Sequence, residues 1–236
     1  MKRRMWVPVL SSGILGLGLL LAGCGPKPQT RIGLFLDINP NSLEQVDKDG
    51  MRISVKAITL ENYSSFPGIF TDLAAEAPSG PTKIRWIDVN VPAFELSLWN
   101  NTGHIVKFSR AVIKLQDDHG IIYEPSTKTD LEAMVDARAR TLAEDRVMID
   151  ISAAKGRIRA LKMADQDLEL LPGITEKVYS TFNYRGEPAT FLAGKRYLKL
   201  MLYEIPVATN DAGEVTKTTN FEFMYDMHAR TIGVTR

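Results

Sequence analysis

The sequence has few of the residues that mark most chemical activities. Of its 236 residues one is cysteine and three are histidine. A lone Cys24 can make no disulfide within the chain. The histidines, His104, His119 and His228, are too scattered for a metal centre, which needs several donors close together. His104 and His119 flank one expected strand that spans roughly 40 Å at about 3.3 Å per residue, so they cannot share an ion. Asp117-Asp118-His119 offers adjacent donors, and Asp47-Lys48-Asp49-Gly50 has a fragment of a calcium loop. Turn chemistry accounts for both, and the second lacks the remaining carboxylates and the closing Glu. There is no Gly-x-Ser-x-Gly, no His-Glu-x-x-His and no glycine loop to cradle a phosphate. The chain therefore reads as a non-enzyme with no cofactor and no metal.

What is present begins at residue 1. Lys2, Arg3 and Arg4 are followed by a mostly apolar run from Met5 to Leu20, broken by Pro8, Ser11, Ser12 and glycines. That length suits the hydrophobic region of a signal peptide better than a membrane span of about 20 apolar residues. The run ends in Leu21-Ala22-Gly23-Cys24: one apolar residue, two small ones and the only cysteine. This pattern resembles the lipobox of bacterial lipoproteins. The resemblance implies that signal peptidase recognises Leu21, Ala22 and Gly23, cuts before Cys24, and leaves Cys24 as a lipidated first residue. Palmitate-type chains would then fix the protein to a membrane, since each buried CH₂ adds about 0.8 kcal/mol. Gly25, where an aspartate would favour inner-membrane retention, points to an outer membrane with the domain facing the periplasm. The expected organisation is 1–23 signal peptide, 24–30 lipidated tether and 31–236 a single domain. Without the leader, the 29 basic residues become 26 against 28 acidic, so the charge goes from +1 to −2. That balance gives no reason to expect nucleic acid as a partner.

The remaining chain reads as mainly β. Gly25 to Thr30, with two prolines, is an extended tether. Strands are expected at Arg31–Ile38 and Met51–Leu60, where apolar residues alternate, with a turn at Asp47–Gly50. Thr71 to Thr82 has the composition of an exposed loop. Ile84–Val91 is a further strand ended by Pro92. Phe94, Leu96 and Leu98 point one way, and Asn100-Asn101-Thr102-Gly103 reads as a hairpin turn into a return strand, Ile105–Gln116. Asp117–Gly120 turns back to Ile121-Ile122-Tyr123. From Thr129 the period becomes helical. Thr129 and Glu132 match a capping box, and Val147, Ile151, Ala154, Ile158 and Leu161 form an apolar stripe. The stretch 129–164 is expected to be one long helix or two, weakened at Gly156, with a strand over 147–151 as the alternative. Strands follow at Leu168–Leu171, Val178–Asn183 and Tyr197–Ile205, then a last hairpin turning at Asn210–Gly213.

Seven or more short strands predict a two-sheet sandwich. The stretches Phe94–His104 and Ala111–Tyr123 resemble immunoglobulin-like domains of uncharacterised bacterial lipoproteins, here with a helical insertion at about 129–164 and no paired cysteines. The basic helical surface, including Arg138, Arg146, Arg157 and Arg159, is a candidate partner surface, although a merely solvated face explains it too. Trp86 and Trp99 read as packing residues rather than a ligand platform. The expected role is a lipid-anchored envelope module that supports or recruits another envelope protein. The alternative is capture of a small or lipidic molecule between sheet and helices, and a third reading, ranked below both, is an enzyme with no recognisable motif.

Overall fold

The computed structural model describes residues 30–59, 61–66, 73–84, 92–108, 111–164, 168–182 and 195–233. The leader, Cys24, the tether up to Gln29, residues 85–91 and Trp86 lie outside the described residues. Ile32–Thr231 is one compact unit, and residues 1–31 with 232–236 are grouped as another. The described fold is mainly β, built from several antiparallel sheets and two helices.

The largest sheet has the order β1 (Thr30–Ile38), β14 (Val215–Gly233), β13 (Tyr197–Thr209), β8 (Val112–Asp117), β9 (Ile122–Tyr123). A second has the order β12 (Thr175–Thr181), β6 (Ala93–Asn100), β3 (Met51–Ile58), β2 (Gln45–Lys48). Two small sheets join β10 (Met148–Ile149) to β4 (Leu73–Ala77) and β5 (Gly80–Ile84), and β11 (Glu169–Leu170) to β7 (Val106–Lys107). Period-two alternation decides which side of each strand is dry. Met51, Ile53, Val55, Phe94, Leu96, Leu98 and Val178 from the second sheet share one buried cluster with Ile113, Leu115, Leu198, Leu200, Leu202, Phe221 and Phe223 from the first. Each such side chain contributes about 1.5–3 kcal/mol on leaving water. Phe94 sits at the centre, with its ring 5.2 Å from that of Tyr225 and 6.0 Å from that of Phe182. Two sheets meeting through one cluster are consistent with a β-sandwich.

A bulge keeps β13 in phase with this core. Leu198, Leu200 and Leu202 are buried, and after the register shift the buried residues are Ile205 and Val207. The parity changes at Glu204, whose φ of 57° is left-handed and whose N–H donates to Asn220 Oδ1 at 2.9 Å. Without the extra residue the second half of β13 would turn its apolar side chains to solvent.

Two expectations are corrected, and a third, one long helix or two, is refined. Residues 73–84 form the hairpin β4–β5 rather than a loop. The turn at Asn100–Gly103 makes no hairpin: β6 pairs with β3 and β12, while β8 pairs with β13 and β9. The reason is Asn100, which is fully buried. Its Nδ2 donates to the carbonyls of His104 and Leu170, both at 2.7 Å, and its Oδ1 accepts from the N–H and hydroxyl of Thr102. The chain is thereby turned out of one sheet toward the other. The helical region is two helices, α1 (Lys128–Glu144) and α2 (Ile151–Ala160). The break falls at Arg146, which has a φ of 57°, and Gly156 lies inside α2. Between the helices stands the two-residue strand β10, so both readings of 147–151 held a part of the arrangement. The capping box is Thr127 with Asp130, two residues earlier than expected.

The helices cover part of the outer side of the second sheet. Leu131, Val135, Ala154, Ile158 and Leu161 pack with Ile58, Phe66, Ala93 and Tyr179 in a second buried cluster. Of the expected stripe, Ala154, Ile158 and Leu161 are buried, whereas Val147 is half-buried and Ile151 is exposed.

Candidate functional site

The lipidation residues Leu21, Ala22, Gly23 and Cys24 lie outside the described residues. The four arginines proposed as a partner surface do not form one array. Arg159 is engaged within the fold: its Nε and Nη2 donate to the two oxygens of Glu132 at 2.8 and 3.2 Å. This hydrogen-bonded pair holds the Glu132 carboxyl below its ordinary range and raises Arg159. Lys155 meets Asp136 at 2.8 Å, and Lys128 Nζ donates to the Arg159 carbonyl, so α2 is stitched to α1. Arg138 follows Leu131 and Val135 along the buried stripe of α1, and its Nε is buried without a hydrogen-bond partner. Arg146 is exposed at the break, and Arg157 is half-buried on α2.

The histidines are likewise dispersed. His119 Nε2 lies 3.9 Å from Asp118 and His228 Nε2 lies 3.6 Å from Asp37. Among the described residues no three His, Cys, Asp or Glu side chains are placed to hold a metal ion. No described helix is long and apolar enough to cross a membrane.

A further polar arrangement, with no motif to mark it, lies on the second sheet. The outer side of the second sheet is set by its register. Thr175, Trp99, Arg52 and Asp47 stand in one row across the four strands. The next row is Lys177, Ser97, Ser54 and Gln45, and the next is Tyr179, Glu95 and Lys56. A fourth row, Thr181, Ala93 and Ile58, lies under the helices. In the first row the Arg52 guanidinium is 4.3 Å from the centre of the Trp99 ring and donates twice to Asp47 Oδ2. In the third, Glu95 accepts from Lys177 Nζ at 3.3 Å on one oxygen and from Tyr179 OH at 3.1 Å on the other. Burial, with the neighbouring Glu95 charge, pushes the Tyr179 hydroxyl up to about 12, so it stays a donor at any ordinary pH. Lys56 leans the opposite way, over the Phe66 ring at 5.5 Å.

Ser54 and Ser97 face each other between these rows, half-buried, and neither hydroxyl has a hydrogen-bond partner among the described residues. Arg52 stays in the first row, Lys177 crosses from the serine row to Glu95, and Lys56 leans over Phe66, which leaves the serines between them. Such a pair is hard to find by motif, because neither serine has any special sequence context. The Trp99 ring, stacked under Arg52, is half-buried.

Comparison with models of known protein families, with curated proteins and with solved structures gives no match to this chain in any of the three.

Proposed function

We propose that the chain is a bacterial lipoprotein: a protein anchored to a cell-envelope membrane through lipid on Cys24, acting as a structural or interaction module for another envelope component. The observation that carries this reading is the sole cysteine closing Leu21-Ala22-Gly23-Cys24 behind Lys2-Arg3-Arg4 and an apolar run. Two or three acyl chains are required for stable attachment, because one alone binds marginally. In this reading 1–23 is removed, 24–30 is the tether, and 31–236 is one immunoglobulin-like sandwich with its helices as an insertion at about 129–164. Gly25 favours the outer membrane, with the domain in the periplasm. No catalytic step and no cofactor belong to the proposal.

The partner surface has to be redrawn within it. Arg159 already has Glu132 and the Nε of Arg138 is buried, so Arg146, exposed at the break between the helices, is the cation this reading offers to an acidic partner.

Metabolic labelling with a palmitate analogue tests the anchor. The wild type should be labelled and fractionate with membranes. Cys24→Ser should be unlabelled and either released or retained uncleaved. An unlabelled wild type would end the lipoprotein reading.

A further inference from the structure

We draw no further inference here: the strongest candidate, the exposed apolar surface patch of Ile105, Leu171 and Ile174 beside the turn that the buried Asn100 ties together, carries nothing because nothing in the structure shows what covers it.

Discussion

Asp117 shows how one carboxylate can fix a turn. Its side chain is wholly buried, and burial by itself would raise its pKa. Four donors outweigh that effect: Lys195 Nζ and Tyr123 OH at 2.7 Å on Oδ2, and the N–H groups of Ile121 and His119 at 2.9 Å on Oδ1. The carboxyl is held down at about 2. A carboxylate with a depressed folded pKa stabilises the fold fully above its unfolded value near 3.9 and loses that contribution as pH falls toward the folded value. The melting temperature should therefore drop between about pH 5 and pH 2. Asp117→Asn should be destabilised by roughly 3 kcal/mol at pH 7, since it leaves Lys195 buried without its charge partner. The variant should also show a shallower acid dependence than the wild type. Equal slopes for the two proteins would remove Asp117 from the explanation.

At the scale of elements, the helix pair offers a clean measurement. Gly156 lies inside α2, is exposed, and a Cβ added there meets nothing within 4 Å. Gly156→Ala should stabilise the protein by about 1 kcal/mol, since the helical backbone no longer has glycine's freedom to lose. Thermal melting would show it as a small upward shift, and a downward shift would mean that the helix is not held as described. The same helices mark where sequence reading succeeds and where it stops. Alternation revealed β3 and β6, because their buried residues recur at every second position. The helix break was hidden, because a left-handed arginine stands where glycine is usual. The cap was ambiguous, because Thr127-x-x-Asp130 and Thr129-x-x-Glu132 overlap. The hairpin β4–β5 was masked by alanine, glutamate and proline, which give little strand signal. Asn100 misled most directly: the residues of a hairpin turn are also those with which a buried Asn ties two loops together. The facing serines were not legible at all, since they meet only once the strand pairing is known.

At the scale of the molecule, β14 supports both its neighbours. It pairs with β13 along nearly the whole of that strand and lies beside β1 in the sheet order. It also carries Phe221, Phe223 and Tyr225 into the main cluster. Ending the chain at residue 214 should therefore abolish cooperative unfolding altogether rather than lower its midpoint. Circular dichroism during heating would check this, and a sharp transition in the truncated chain would refute it.

The join between β1 and β14 also sets an order of events. Asn39 reaches Met224 and Asp226 with its N–H and side chain, a closure over 187 residues in the second case. Long-range pairings of this kind form late, after the entropy of a large loop has been lost. A ribosome adding about 5–20 residues per second would need on the order of ten seconds or more between delivering Asn39 and delivering its partner. Throughout that interval the first strand has no neighbour to zip against. The first sheet is therefore the last to be completed: its order cannot close until β14, the strand nearest the end of the chain, has been delivered.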